Sequence, residues 1–179
     1  MARYAAFLRG MNLGKRRITN DELVARFDEL GFTKVGAFLA SGNVVFAATG
    51  TRAAVTKRLE RGLEEALGYP VPTFLRAASE VEALARAEPF AAPAQAPKRG
   101  KLQVCLLKQA PADAVDEAIA GFASDADWLR RVDADLFWWP QAGVATSELD
   151  LRGLERLLGP MTIRTHNTVA RMTRKFFAR

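Results

Sequence analysis

The sequence Phe-Leu-Arg-Gly-Met-Asn-Leu-Gly-Lys-Arg-Arg, from Phe7 to Arg17, joins the first two elements of the predicted fold. The apolar run from Tyr4 to Leu8 has the length and composition of a strand. Gly10 and Gly14 then indicate a loop that carries a basic cluster. After the cluster, Thr19-Asn20-Asp21-Glu22 is a capping box and predicts the start of a helix. A strand, a basic loop with two glycines and a helix therefore open the chain.

The next elements continue this opening into a βαββαβ order. Val35 to Leu39 and Val44 to Phe46 are apolar runs on either side of Ser41-Gly42-Asn43, which is typical of a β-hairpin. Apolar residues at helical spacing predict a second helix from about Thr51 to Leu67. The run from Val71 to Leu75 follows as a strand.

The same order repeats in the second half. A capping box from Ser79 to Glu82 predicts a short helix that closes the first half, and residues 91–100 form an Ala/Pro-rich segment without periodicity. The later elements are a strand from Leu102 to Leu107, a helix from Pro111 to Phe122, a hairpin of Trp128–Val132 and Leu136–Trp139, a helix after Ser147–Asp150, a strand from Met161 to Arg164 and a last helix from about Thr168.

Two runs of βαββαβ predict an α+β protein made of two tandem ferredoxin-like units with antiparallel sheets, followed by a C-terminal helix. The predicted domains are residues 1–90 and 101–179, with residues 91–100 as a linker or surface loop between them. The hydrophobic fraction of 49% and the charged fraction of 26% are those of an ordinary globular protein.

The composition also bounds the cellular setting. No apolar run approaches the roughly 20 residues that a membrane-spanning helix needs, and Arg9 interrupts the first apolar stretch, so we expect neither a membrane anchor nor a signal peptide. Cys105 is the only cysteine and lies within an apolar run, which favours a buried thiol. A reducing, cytoplasmic location is the expectation that follows.

The net charge of +6 is unevenly distributed. The first 20 residues carry five basic residues and no acid, and the chain after Glu155 carries six basic residues and no acid. The intervening chain therefore has a net negative charge. This pattern is expected if the two basic ends meet around an anion. Simple solvent exposure of both ends is the alternative.

Four segments resemble motifs of one protein family. Phe7 to Gly14 is similar to a Leu-Arg-Gly-Ile-Asn-Val-Gly opening, and Ser41 to Phe46 matches Ser-Gly-Asn-Val-Val-Phe. Glu88-Pro89-Phe90 is similar to Asn-Pro-Phe, and Thr162 to Val169 resembles Thr-Thr-Arg-Asn-Trp-Asn-Thr-Val. The family is DUF1697, whose members are small, mostly bacterial proteins without an established function. The resemblance implies a fold and a set of special positions, and it implies no activity.

The chain departs from this family at three positions. Gly14 stands alone where the family usually has two adjacent glycines. Glu148 replaces a lysine between Ser147 and Leu149, so no lysine role carries over. His166 stands where the family usually has tryptophan, which cannot accept a proton as a general base. A stacking or packing role shared by histidine and tryptophan is therefore favoured for His166 over catalysis.

The loop after the first strand is the first candidate binding site. Its candidate residues are Arg9, Gly10, Asn12, Gly14 and Lys15. Glycines let backbone N–H groups approach an anion, and the following helix directs its positive N-terminus toward the loop. The alternative is that the glycines serve only the turn and that Asn12 satisfies the loop backbone.

Two further segments complete the candidate site. Arg164, Asn167 and Thr168 match positions of the family motif and are predicted to bind the ligand, although Thr168 is also suited to capping the last helix. Ser41 and Asn43 belong first to a hairpin turn, with ligand binding as the second interpretation.

No metal or cofactor is expected. One histidine and one buried cysteine are too few for a conventional zinc site, and neither a Walker loop nor a dinucleotide fingerprint is present. The acidic pairs Asp125/Asp127 and Asp133/Asp135 flank strands and are predicted to be solvated turn residues. Trp138 and Trp139 lie on one strand, so one should be buried and the other exposed or covered.

These observations support three hypotheses about function. The first is a non-enzymatic protein that binds a phosphorylated or nucleic-acid ligand with the Arg9–Arg17 loop and the Arg164–Thr168 segment. The second is an enzyme that acts on a small anionic metabolite, with arginines holding the substrate. Its weakness is that the matched motifs mark no acid–base residue. The third is a scaffold without a ligand.

Overall fold

A computed structural model of the protein describes residues 1–12, 16–39, 42–90 and 100–178. The chain divides into an N-terminal unit, Met1–Val81 with Phe176–Arg179, and a C-terminal unit, Glu82–Lys175. Most of the predicted linker, residues 91–99, lies outside the described residues. None of the helices in the described ranges is both long and apolar enough to cross a bilayer.

The N-terminal unit is a four-stranded antiparallel sheet with helices. Its elements are β1 (Ala2–Leu8), α1 (Asn20–Glu29), β2 (Thr33–Ala37), β3 (Asn43–Ala48), α2 (Arg52–Leu67) and β4 (Thr73–Ala77), and α3 (Ala78–Arg86) follows. The strands lie in the order β2-β3-β1-β4. This is the predicted βαββαβ order, although β2 and β4 are each displaced by two residues from their predicted positions.

The C-terminal unit has the same topology. Its elements are β5 (Gln103–Leu107), a 3-10 turn (Asp113–Val115), α4 (Asp116–Ala120), β6 (Asp127–Val132), β7 (Asp135–Pro140), a second 3-10 turn (Val144–Thr146), α5 (Leu151–Leu158), β8 (Met161–Thr165) and α6 (His166–Phe176). The strand order is β6-β7-β5-β8, again antiparallel. The predicted fold class, two ferredoxin-like units and a C-terminal helix, is confirmed.

The first helix begins as its sequence predicts. The Thr19 hydroxyl accepts from the Glu22 N–H (3.2 Å), and the Glu22 carboxylate accepts from the Thr19 N–H (2.7 Å), so both halves of the capping box are present. These hydrogen bonds stabilise the ionised carboxylate and lower the pKa of Glu22. Leu23 and Phe27, one turn apart, are buried in the core.

Of three other predicted helix starts, the one after Ser147–Asp150 is confirmed and two are wrong in detail. Ser79 lies inside α3 and does not cap it, although the Glu80 carboxylate does accept from the Ala77 N–H. Asp150 is the N-cap of α5. In α6 the helix begins at His166, and the Thr165 hydroxyl accepts from the Thr168 N–H. Several hydroxyls and carboxylates near each start can cap a helix, and packing selects among them.

Aromatic rings fill the space between sheet and helices in the N-terminal unit. Phe46 lies 5.2 Å from Phe27 and 4.7 Å from Phe32, measured between ring centroids. In the C-terminal unit, Trp138 takes the buried position and Trp139 is only half-buried, as the strand alternation predicts. Because Phe137 is also fully buried, these three rings do not form an open platform for stacking bases.

Candidate functional site

The loop after β1 lies at the edge of the N-terminal sheet where β4 begins. The Arg9 N–H donates to the Pro72 carbonyl (2.9 Å), which ties the loop to the start of β4. Gly10 has a φ of 79° and Asn12 a φ of 55°, both in the left-handed region. The chain therefore turns sharply here through two residue types that tolerate this conformation.

Asn12 closes the described part of this loop on itself. Its side-chain oxygen accepts from the Ile18 N–H (2.9 Å), and its carbonyl accepts from the Arg17 guanidinium (3.1 Å). These bonds agree with the interpretation that Asn12 satisfies the loop backbone. Gly14 and Lys15, also predicted for this site, lie outside the described residues.

Three exposed arginines surround the loop, and two of them are held in place by the protein. The Arg16 guanidinium lies over the Tyr69 ring, 3.9 Å from its centroid. Arg17 donates to the carbonyl oxygens of Asn12 and Arg16 (3.1 and 2.7 Å). Arg9 is exposed beside them along the chain. Neither Arg16 nor Arg17 forms an ion pair with any residue in the described ranges.

The N-terminus of α1 contributes less to this site than the sequence predicts. The Thr19 and Glu22 side chains already occupy N–H groups of the first turn. Asp21 and Glu22 also place two carboxylates in that turn. Because these negative charges offset the helix dipole, an anion would be attracted mainly by the arginines.

In the Ser41-Gly42-Asn43 segment, the described residues Gly42 and Asn43 stabilise the hairpin turn. Asn43 is fully buried, its amide donates to the Phe38 carbonyl (3.0 Å), and its carbonyl accepts from the Phe38 N–H (2.8 Å). Gly42 has a φ of 70°, and a Cβ there would lie 2.9 Å from Met11 Cγ. The hairpin thus approaches the β1 loop too closely for a side chain at this position. Ser41 lies outside the described residues.

The Arg164–Thr168 segment spans the end of β8 and the start of α6. The Arg164 guanidinium donates to the Thr162 hydroxyl and the Ile163 carbonyl (both 2.9 Å), and burial lowers the pKa of Arg164 to about 10. The hydroxyls of Thr165 and Thr168 lie 2.8 Å apart. Asn167 is exposed. The C-terminal unit therefore presents Asn167 to solvent and uses Thr168 in the helix start.

His166 has the packing environment that the resemblance favours. Its Nε2 lies 3.0 Å from the Leu84 carbonyl, and its ring centroid lies 6.2 Å from that of Phe137. A tryptophan could make both contacts, because its indole N–H is a donor and its ring is larger. This environment does not require a titratable group.

The Glu88-Pro89-Phe90 segment packs within the C-terminal unit. The Arg130 guanidinium donates to the Pro89 carbonyl (2.8 Å) and lies 5.8 Å from the centre of the Phe90 ring. Phe90 in turn contacts Trp128 edge-on at 5.8 Å. These contacts give the segment a structural role.

Two of the acids predicted to be solvated are buried. Asp135 accepts from the Leu107 N–H (2.9 Å). Asp127 accepts from the Trp138 indole N–H and from the Ser147 hydroxyl, both at 2.7 Å. Their sequence neighbourhood resembles a turn, and only partners distant in sequence bury them. The prediction of solvated turn residues is therefore wrong for Asp127 and Asp135.

Asp127 also contributes to a cavity of about 610 Å³ in the C-terminal unit. The cavity lies between the end of α4, the start of β6, the end of β7 and the segment that precedes α5. Of the segments compared with the DUF1697 motifs, Ser147-Glu148-Leu149 lines it. Across the described ranges, no cluster of three or more His, Cys, Asp or Glu side chains is suited to hold a metal ion.

The fold and these sites define a two-unit ferredoxin-like α+β protein with an arginine-rich loop. The profile of DUF1697, described as a protein of unknown function, matches residues 1–137. The chain therefore belongs to the DUF1697 family.

A solved structure extends the likeness to the whole chain. The conserved bacterial protein SP0830 from Streptococcus pneumoniae is similar, with 19% sequence identity and a TM-score of 0.70 over 99% of each chain. At this identity the likeness shows the fold alone. A comparison with curated proteins found no match.

Proposed function

We propose that the protein binds a phosphate-bearing anion at the Arg9–Arg17 loop and acts as a binding protein. The observation that carries the proposal is the pair Arg16 and Arg17, whose guanidinium groups are exposed and already oriented. Stacking on Tyr69 holds Arg16, and hydrogen bonds to two carbonyls hold Arg17. A pre-oriented side chain loses less entropy when it binds, so it contributes more to affinity.

Arginine suits this ligand for a geometric reason. Its planar guanidinium can donate two parallel hydrogen bonds to a phosphate or carboxylate, and a charged bond of this kind is stronger than a neutral one. The proposal includes Arg9 as a third cation of the loop. Arg164, Asn167 and Thr168 stay a separate candidate binding segment of the C-terminal unit. The proposal assumes a cytoplasmic bacterial setting, as expected from the single thiol and the family resemblance.

A phosphate group occurs both in small metabolites and in nucleic acids, and one experiment separates the two sources. A labelled single-stranded oligodeoxynucleotide is titrated with the protein, and its fluorescence anisotropy is followed over a salt series. Binding of pyrophosphate is measured in parallel by calorimetry. A nucleic-acid ligand predicts oligonucleotide binding that weakens steeply with salt. A small phosphorylated ligand predicts pyrophosphate binding without oligonucleotide binding at low salt.

The variant Arg16→Gln/Arg17→Gln tests whether the loop is responsible. A hydrogen bond to a charged group contributes about 1.5–3 kcal/mol, so we expect at least about a tenfold loss of affinity. The control is Arg26→Gln/Arg61→Gln, which removes two arginines from the helices of the same unit. Arg9→Ala should weaken binding in the same direction as the loop variant. Equal losses in loop and control variants would show that net charge alone attracts the anion.

A further inference from the structure

The cavity in the C-terminal unit is lined by both acidic and apolar residues. Its acidic residues are Asp127, Glu148 and Asp150, and among the described residues that line it there is no lysine, arginine or histidine. Phe122 and Leu149 contribute apolar walls. A volume of about 610 Å³ lies within the usual range for a pocket that holds a small molecule.

Asp127 is the most deeply buried of these acids, with 4% of its surface exposed. Both of its hydrogen bonds, from Trp138 and from Ser147, end on the same oxygen, Oδ1. No described residue donates to the second oxygen, Oδ2, and no described lysine or arginine forms an ion pair with it. A carboxylate can accept about four hydrogen bonds. Asp127 therefore retains unused acceptor capacity and an unneutralised charge beside a cavity.

The N-terminal unit has no carboxylate at the corresponding position. Asp127 directly precedes Trp128, which pairs with Trp139. Phe32 directly precedes Thr33, which pairs with Ala47. Trp139 and Ala47 are both the fifth residues of six-residue strands. Phe32 thus occupies in the N-terminal unit the place that Asp127 occupies in the C-terminal unit. Since a carboxylate in a largely buried site is stabilised by a counter-charge, Asp127 is suited to a cationic partner in the cavity.

The chemistry of the cavity favours an organic cation over a metal ion. A divalent metal needs several oxygen or nitrogen ligands converging on one point, and the described residues provide no such group of three. A primary ammonium carries three donors and a single charge, which match the oxygens of Asp127. The apolar walls would then contact the alkyl part of the same molecule.

We propose that the C-terminal cavity binds a small primary alkylammonium ion, with the Asp127 carboxylate as its counter-charge. Ser147 is a positioning residue, because its hydroxyl donates to Asp127 while its oxygen accepts from the Leu149 N–H (3.1 Å). This site lies in the C-terminal unit and takes a ligand of the opposite charge to the one proposed for the Arg9–Arg17 loop. Either proposal can therefore fail without the other.

The test uses three probes of similar size and different charge: n-butylammonium, 1-butanol and butyrate. The indole N–H of Trp138, which donates to Asp127, gives a signal in ¹H–¹⁵N spectra that reports on the site directly, and Trp138→Phe assigns it. At neutral pH, n-butylammonium should shift this signal in a saturable way. Butanol and butyrate at the same concentration should leave it in place. An equal response to all three probes would overturn the proposal.

Variants separate the charge of Asp127 from the shape of the cavity. In Asp127→Asn the amide oxygen can still accept both hydrogen bonds, but the charge is gone, so affinity for n-butylammonium should fall about tenfold or more. Asp133→Asn removes a charge from the turn of the same hairpin and should bind like the wild type. Ser147→Ala keeps the charge but removes the hydroxyl that holds the carboxylate, so its affinity for n-butylammonium should fall, and by less than that of Asp127→Asn.

Each outcome decides the proposal. Asp127→Asn that binds as tightly as the wild type contradicts it, as does a wild-type protein that shows no saturable shift with n-butylammonium. If Asp127→Asn does not fold, as judged from the dispersion of its spectrum, the comparison of the three probes on the wild type decides instead.

Discussion

In the N-terminal unit, the rings of Phe32 and Phe46 pack together with their centroids 4.7 Å apart. At the corresponding positions of the C-terminal unit, Asp127 accepts a 2.7 Å hydrogen bond from Trp138. Both units have the same strand order and the same pairing direction. The comparison shows that this fold accepts either an apolar pair or a polar pair at one position. The polar pair is therefore not a requirement of the topology that the two units share.

The two units also differ in the length of the connection that follows their third strand. Residues 49–51 link β3 to α2, whereas residues 141–150 link β7 to α5. The longer connection contributes the cavity residues Ala142 and Thr146 through Asp150. Two units with one topology thus differ in their loops, and the cavity is found where the loop is long. Function on a common fold is usually added in this way.

The largest expected effect comes from breaking the apolar pair. Phe46 is fully buried against Tyr4, Phe27 and Phe32. Phe46→Ala should lower the free energy of unfolding by about 3–5 kcal/mol, because it removes a large apolar surface and leaves a cavity. Urea denaturation followed by circular dichroism measures this loss. A loss below about 1 kcal/mol would contradict the tight packing of these rings.

The polar pair should contribute less than the apolar pair. Trp138→Phe removes the indole donor and keeps a ring, so we expect a loss of about 2 kcal/mol, in the range of a hydrogen bond to a charged group. A double-mutant cycle with Asp127→Asn measures the coupling between the two residues. Additive losses would show that the 2.7 Å bond contributes no coupling energy in solution.

Helix starts provide a smaller test within the N-terminal unit. Thr19→Ala removes one half of a complete capping box and should cost about 1 kcal/mol. Thr51→Ala removes a single cap bond of 3.3 Å at the start of α2 and should cost less. The same denaturation experiment compares them, and a larger loss at Thr51 would reverse the expected order. Capping lowers the pKa of Glu22. The ionised Glu22 carboxylate therefore stabilises the folded state above the pKa that it has in the unfolded chain, and this stabilisation is lost as the pH falls through its pKa in the folded protein.

The smallest expected effect is at Cys105. Cys105 pairs with Leu136, the second residue of β7, and Ala6 pairs with Val44, the second residue of β3. Ala6 therefore occupies in the N-terminal unit the place that Cys105 occupies in the C-terminal unit. Cys105→Ala should therefore cost only about 0.8 kcal/mol, similar to one buried methylene.

The thiol itself should be unreactive in the native protein. Burial raises the pKa of Cys105 far above its ordinary value. Because the native state keeps the proton, this contribution to stability is complete below the unfolded thiol pKa of about 8.5 and declines at higher pH. Ellman's reagent at pH 8 should react with the thiol only after unfolding in guanidinium. Rapid reaction of the native protein would show that the strand opens locally.

Much of the fold followed from local patterns. The capping box at Thr19 and the apolar spacing of Leu23 and Phe27 predict α1, and the structure confirms both. The alternation along β7 correctly predicts that one of Trp138 and Trp139 is buried, and the structure shows that it is Trp138. These features depend on residues close together in the chain, whose geometry a helix or strand sets directly.

The candidate sites were only partly predictable. The glycines and arginines mark the β1 loop, but the stacking of Arg16 on Tyr69 joins two segments separated by α1, two strands and α2. Asp127 has the local context of a turn, and its burial depends on Trp138 and Ser147. No pattern in the sequence indicates these contacts, which appear only in the tertiary structure.

The sequence by itself determined the order of helices and strands, the repetition of the βαββαβ unit and the basic loop after the first strand. These depend on periodicity, on capping and on turn residues, which act over a few positions. Only the tertiary structure decided which polar groups are buried, which arginines are held and where a cavity forms. Burial and hydrogen bonding depend on partners that the fold brings together from distant parts of the chain, so the same aspartate can be a solvated turn residue or a buried charge.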